Sequence, residues 1–125
     1  DKIPLVGKYH SREQYNSTEY VEAYLTIKKS GPNELNIKSE ARGYSDGKNV
    51  YEEFIEYVNV ELKSPTSFYT QQTVNIVDKE GDSKQMVVML NGELRSQLLF
   101  VSVDSWYEKE PDANAPGEVI FTKIE

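Results

Sequence analysis

From Tyr20 to Ile27 the chain alternates without a break. Val21, Ala23, Leu25 and Ile27 fall on one side, and Tyr20, Glu22, Tyr24 and Thr26 on the other. Successive side chains of a strand point to opposite faces, so the pattern predicts a strand with one aliphatic face. Leu35, Ile37 and Ser39 alternate in the same way with Asn36, Lys38 and Glu40. The two runs flank Ser30-Gly31-Pro32-Asn33, where Pro fixes φ and Gly admits positive φ, so they read as a hairpin. Thr73 to Val77 and Val119 to Ile124 are rich in β-branched residues, which favour a pleated surface. Met86 to Leu90 and Leu98 to Val103 are apolar on both faces. They flank Asn91-Gly92, a strong two-residue turn signal, and predict a hairpin buried on both sides.

Turn signals recur at Ser45-Asp46-Gly47, Ser64-Pro65-Thr66 and Glu80-Gly81-Asp82, and Pro111 to Gly117 is the one clear loop. Strands are expected near 5–13, 19–29, 34–44, 51–63, 67–78, 84–91, 94–104 and 118–124. Two of these segments also carry helical signals. Ser17 is placed to cap a helix from Thr18 to Ser30 that ends at Gly31 and Pro32, and Tyr51, Phe54, Ile55, Val58 and Leu62 fit a helical stripe. Strands are expected in both, because Thr26 and Ile27 pair well across the Gly-Pro-Asn turn and Val58 and Val60 are β-branched. Short turns between consecutive strands make a meander. Eight such strands close into an all-β, antiparallel up-and-down barrel, which removes exposed edges.

The segment Val6-Gly7-Lys8-Tyr9 resembles the Gly-x-Trp signature that opens lipocalin-type barrels, with Tyr9 in place of the Trp. The last strand, Glu118-Val119-Ile120-Phe121-Thr122-Lys123-Ile124, is similar to that of small bacterial lipocalin-like domains. The Thr-Asp-Tyr element of the classical members is missing. The resemblance implies a lipocalin-like barrel around a small-molecule cavity.

Composition narrows the function. At 125 residues the chain is long enough for one core, so a single domain spans 1–125, with 1–4 as a short leader. Twenty-one acidic residues against 14 basic ones give a net charge of -7, which disfavours nucleic acid and anionic membrane surfaces and suits a partner with a basic surface. The absence of cysteine removes disulfides, thiolate metal sites and cysteine nucleophiles, and one histidine excludes a multi-histidine metal site within the chain. No apolar run approaches the ~18 residues of a membrane-spanning helix. The chain begins at Asp1 rather than methionine, and its acidic, cysteine-free composition suits an extracytoplasmic protein, secreted or a lipoprotein ectodomain.

Candidate chemistry is sparse. His10 has no nucleophile elbow to serve and reads as a strand-end histidine. Glu52, Glu53, Glu56 and Glu61, and Glu108, Glu110 and Asp112, read as solvated acidic faces. Asp46 to Asn49 and Asp78 to Asp82 faintly resemble calcium loops but lack the alternating ligands, and Asp and Gly belong in turns for backbone reasons. Asn16-Ser17-Thr18 fits the glycosylation pattern, which matters only in a eukaryotic secretory pathway. No catalytic residue, metal or cofactor is expected, and the protein is read as a non-enzyme.

Nine tyrosines, four phenylalanines and one tryptophan leave the aromatics as the informative group. If the aliphatic face of the second strand fills the interior, Tyr20 and Tyr24 lie outside and form an interaction surface. If the tyrosine face is inside, it lines a semi-polar cavity. Trp106-Tyr107 precedes the Pro111 loop and is expected at the barrel mouth, as a binding rim or a plug. The leading expectation is a non-catalytic module that holds a small apolar or amphipathic ligand, with Tyr24, Tyr57, Phe68 and Trp106 as lining or rim contacts. The alternative is a solid-core interaction or inhibitor module of the cell envelope, acting through a Tyr-rich acidic surface.

Overall fold

The computed structural model describes residues 3–77, 81–107, 110–111 and 117–125. Its strands are β1 (Gly7–Gln14), β2 (Glu19–Gly31), β3 (Glu34–Ser45), β4 (Lys48–Ser64), β5 (Ser67–Val77), β6 (Ser83–Arg95), β7 (Leu98–Tyr107), β8 (Glu110–Pro111) and β9 (Gly117–Lys123). Each long strand pairs antiparallel with the next, β7 pairs with β9, and β9 returns to β1. The result is a closed eight-stranded up-and-down barrel. β8 is a two-residue piece set against Trp106 and Tyr107 at the end of β7.

Both segments with competing helical signals are strands, and the whole aliphatic face of β2 points inward. Leu25 and Ile27 are buried while Tyr24 is 38% exposed. In an isolated helix the caps around Thr18–Ser30 would count, but here β1 and β3 hold β2 on both edges for most of its length. The turns expected at Asp46-Gly47 and Pro65-Thr66 are the ones found, closed by the pairs Ser45↔Lys48 and Ser64↔Ser67. Asp46 and Gly47 both have positive φ, 50° and 76°, the twist that a two-residue hairpin between right-twisted strands requires.

The Asn91-Gly92 turn is not formed. Both residues sit inside β6, paired with Tyr69 and Phe68 on one side and Ser102 and Val101 on the other. The chain reverses four residues later at Ser96-Gln97, with Ser96 at φ 58°. The β6–β7 hairpin is also not buried on both sides. A single-walled barrel covers only its inner face, so Val87, Met89 and Phe100 on the outer face are half-buried.

Among the described residues no helix is long and apolar enough to cross a membrane, a statement about helices alone. Residues 1–2 of the leader, 78–80 of the second calcium-like segment, Glu108 and Asp112 of the second acidic group, and 112–116 of the Pro111 loop lie outside the described residues.

The core is concentrated at one end of the barrel. There the turn at Pro4-Leu5 folds under the strands, and Leu5, Ile27, Leu35, Ile37, Val60 and Leu99 are fully buried. Tyr9 donates its hydroxyl to the Leu5 carbonyl at 2.8 Å and so fastens the plug from inside. The first and last strands meet below it. Lys8 N–H donates to the Glu125 carbonyl, and Lys123 Nζ donates to the Pro4 carbonyl at 2.6 Å. Gly7 lies at φ 152°, and a Cβ there would collide with the Glu125 carbonyl oxygen, so only glycine lets the chain ends cross this closely.

Candidate functional site

The register explains why one end is solid and the other hollow. Reading across β1 to β4, inward-facing residues form rows. Nearest the closed end the row is Gly7, Ile27, Ile37 and Tyr57, and the next is Tyr9, Leu25, Ser39 and Ile55. Then come Ser11, Ala23, Ala41 and Glu53, and last Glu13, Val21, Gly43 and Tyr51. Side chains shrink abruptly halfway up. Eight strands make a barrel whose interior ordinary side chains just fill, so replacing large residues by Ser, Ala and Gly leaves room.

That room is a cavity of about 830 Å³. Its far wall is apolar: Met86, Val88 and Leu90 from β6, Val101 and Val103 from β7, Val119 and Phe121 from β9. Tyr57 and Phe68 close the floor. Burial raises the Tyr57 hydroxyl pKa well above the usual phenol range, helped by the Glu53 carboxylate nearby. The mouth is polar and aromatic. Glu13, Tyr15, Tyr51, Glu53 and Tyr107 all contribute to it. Tyr51 donates its hydroxyl to the Glu53 carboxylate. Burial and the adjacent Glu13 raise the Tyr15 pKa.

The seam between β4 and β5 is unlike the others. Glu61↔Tyr69, Leu62↔Phe68 and Ser64↔Ser67 are its only backbone pairs among the described residues. Continuing that register would set Val58 opposite Gln72. There the Gln72 side-chain amide bonds instead: Nε2 donates to the Val58 carbonyl at 3.0 Å and Oε1 accepts from the Val58 N–H at 3.3 Å. Nε2 also reaches Thr70 Oγ1 at 2.8 Å. Asn59, beside this junction, has φ 52°. A side chain thus stands in for a rung of the ladder on the cavity's flank.

Of the four residues expected to meet a ligand, Tyr57 and Phe68 line the cavity. Tyr24 and Trp106 do not. Tyr24 is on the outer face of β2, and the inward positions beside it belong to Ala23 and Leu25. Trp106 alternates with the inward Ser105 and Tyr107, which puts it outside near the mouth. Tyrosines outside and a cavity inside were expected as alternatives, yet both occur. The aliphatic face does point inward, but its residues near the mouth are too small to fill the space. Ser11, Ala23 and Ala41 were the missed signal: small residues in matching registers of three neighbouring strands, with Ser39 one row below them.

The outer face of the same strands is a paired surface. His10 Nε2 and Glu22 Oε2 are 2.9 Å apart, with the His10 ring 4.8 Å from that of Tyr24. Arg12 lies over the Tyr20 ring at 3.9 Å, and Tyr20 stacks on Tyr44 at 4.9 Å. The acidic segment of β4 divides between faces. Glu52 meets Arg42 at 3.6 Å and Glu56 accepts from Asn36 at 2.9 Å on the outside, while Glu53 lines the cavity. Among the described residues no group of three or more His, Asp or Glu side chains is arranged to hold a metal. No family model matches the chain, and no curated protein matches its sequence.

Proposed function

We propose that the protein is a non-catalytic binding module that holds a small apolar or amphipathic molecule inside a lipocalin-like barrel. The observation that carries this reading is the cavity. Its volume of about 830 Å³ falls within the ~300–1,000 Å³ of small-molecule sites. Hydrocarbon walls with a few polar groups at one end are the usual build of such sites. A packed interior would be the more stable choice, since each unfilled methyl-sized space costs about 1 kcal/mol. The small residues at matching registers therefore give up stability for space. The lipocalin-like resemblance of Gly7-Lys8-Tyr9 adds support, since this segment closes the barrel beneath the cavity. The acidic, cysteine-free composition makes an extracytoplasmic location part of the proposal.

Native against denaturing mass spectrometry on protein purified gently from its own host tests this reading. A reproducible mass carried by the folded protein and released on unfolding is the expected result. A bare 14.3 kDa chain in both spectra, together with no uptake of added hydrophobic fluorophores, would count against it.

A second reading draws on the outer face. Phe54 is 53% exposed and lies 5.1 Å from the Arg42 guanidinium, within the Tyr20, Tyr24 and Tyr44 surface. Exposed aromatics beside arginine are common in protein interfaces. Pull-down with an Arg42→Glu, Phe54→Ala control separates this role from ligand binding.

A further inference from the structure

We infer that the cavity selects amphiphiles with a cationic head, an alkylammonium or quaternary ammonium group at the mouth above an apolar body in the barrel. This deepens the binding-module reading and rests on it.

The charge on the lining has one sign. Among the described residues that line the cavity, the ionisable groups other than phenols are Glu13 and Glu53, and no lysine, arginine or histidine joins them. Their positions are fixed by the ladder. Glu13 ends the outermost row and Glu53 ends the row below it, three strands apart, so the two carboxylates face the mouth from different walls. A cation between them gains from both, and partial exclusion of water strengthens each attraction over its value in bulk solvent.

The aromatic rim adds a second attraction. Tyr15, Tyr51 and Tyr107 stand at the mouth on β1, β4 and β7 or just beyond, and tyrosine faces attract cations through the ring quadrupole. Tyr107 shares its ring with a lysine, so a ligand's cationic head is expected to sit toward Glu13, Glu53 and Tyr51. Lys84 Nζ lies 5.9 Å from the Tyr107 ring centroid, at the solvent-exposed end of β6. A methylated ammonium sheds water more readily than a lysine and fits an aromatic rim with adjacent carboxylates better. Below the rim, Val88, Leu90, Val101 and Val103 offer only hydrocarbon to the ligand's tail. A fatty carboxylate would meet Glu13 and Glu53 with its own charge, and like charges at that range repel.

Binding of decyltrimethylammonium, decylamine, decanol and decanoate separates the possibilities. They share one tail and differ in the head, and all are used below micelle-forming concentrations. Titration calorimetry and native mass spectrometry read the affinities at low and high salt. The expected order is both ammonium compounds about tenfold tighter than decanol, with decanoate weakest. The ammonium preference should shrink at high salt, as screening requires. Glu13→Gln with Glu53→Gln should remove most of the ammonium preference over decanol, and circular dichroism with a thermal melt of the variant reports that the barrel still folds. Decanol or decanoate binding as tightly as the ammonium compounds to the unsubstituted protein overturns the head-group selection and leaves the binding barrel standing. A preference that survives the double substitution overturns the role of the two carboxylates. Failure of all four to bind overturns both readings.

Discussion

The ring of Phe68 fills the space that a side chain on Gly92, its partner across the β5–β6 ladder, would need. A Cβ on Gly92 would overlap Cε2 and Cζ of that ring and stand 2.8 Å from Cδ2. Phe68 is 1% exposed and lines the cavity, so a Cβ on Gly92 would push the ring off its packing and into that space. Glycine in a strand interior is otherwise costly, and it is kept here because an aromatic ring occupies the space of its side chain. Gly92→Ala should destabilise the fold by about 1–3 kcal/mol through overpacking. The same substitution in a Phe68→Leu background should cost clearly less. Urea denaturation of the four proteins in the cycle measures the coupling, and additive costs would show that the ring does not depend on the missing Cβ.

That contact also shows where the sequence is readable and where it is not. Asn91-Gly92 carries the local chemistry of a turn, and local chemistry is all that a dipeptide offers. What decides its place is Phe68, more than 20 positions upstream, which needs a bare backbone opposite it. Asp46-Gly47, with no such partner, forms the turn its residues favour. The strand plan was legible because alternation is local and repeated. The cavity was harder, because it comes from coincidence between strands: Ser11, Ala23 and Ala41 are unremarkable singly and make space only when register sets them in one row. Tyr57 and Phe68, expected as ligand contacts from side-chain type and strand position, are found in the cavity wall. Tyr24 lies on the outer face of β2, as its alternation with Leu25 implies.

Alkaline pH should weaken the fold through two buried phenols. Burial pushes the Tyr9 pKa from 10.0 up to about 12, and that of Tyr57 is raised further. Both are higher in the folded state than in the unfolded chain. Below pH 10 both states keep the protons and nothing is lost. Above it the unfolded chain releases them first, so stability falls with rising pH, by about 1.4 kcal/mol per pH unit for each phenol. The Tyr9 contribution is exhausted near pH 12, where Tyr9 ionises within the fold. Tyr9→Phe should therefore make the slope above pH 10 shallower by one phenol's share. At neutral pH it should cost about 1–3 kcal/mol, because the Leu5 carbonyl loses its buried donor. Urea midpoints between pH 7 and 11.5 read both effects, and an unchanged alkaline slope in the variant would show that Tyr9 titrates normally.

Gln72 should control the β4–β5 seam. Its amide satisfies both backbone groups of Val58, and no other side chain on this seam is paired in that way among the described residues. Gln72→Ala removes the bridge and should lower stability by roughly 1–2 kcal/mol. The Val58 amide should then exchange with solvent faster, while amides in the β2–β3 ladder keep their protection. Gln72→Glu can accept from the Val58 N–H but cannot donate to its carbonyl, so it should fall between the two or below both. Hydrogen exchange resolved by residue makes the comparison. Equal protection of Val58 in all three proteins would place the restraint in the backbone rather than in Gln72.

Filling the cavity should separate holding a ligand from keeping the fold. Ala41 stands between Ala23 and Glu53 in the row where the side chains become small, and it faces the apolar wall of β6 and β7. Ala41→Leu adds hydrocarbon to space walled by apolar side chains on its far side. Overpacking normally costs about 1–3 kcal/mol, but here the added methyl groups meet an existing void. New burial is worth about 25 cal/mol per Å² of apolar surface, so the variant should be as stable as the parent or more so. Its uptake of hydrophobic fluorophores and alkyl amphiphiles should drop at least about tenfold, the discrimination expected when a few methyl groups occupy an apolar pocket. Thermal melts and probe titrations on the same samples give both numbers. A variant that melts lower and binds as before would mean that the ligand does not enter between these strands, and the binding site would have to be sought on the outer face around Tyr24 and Phe54.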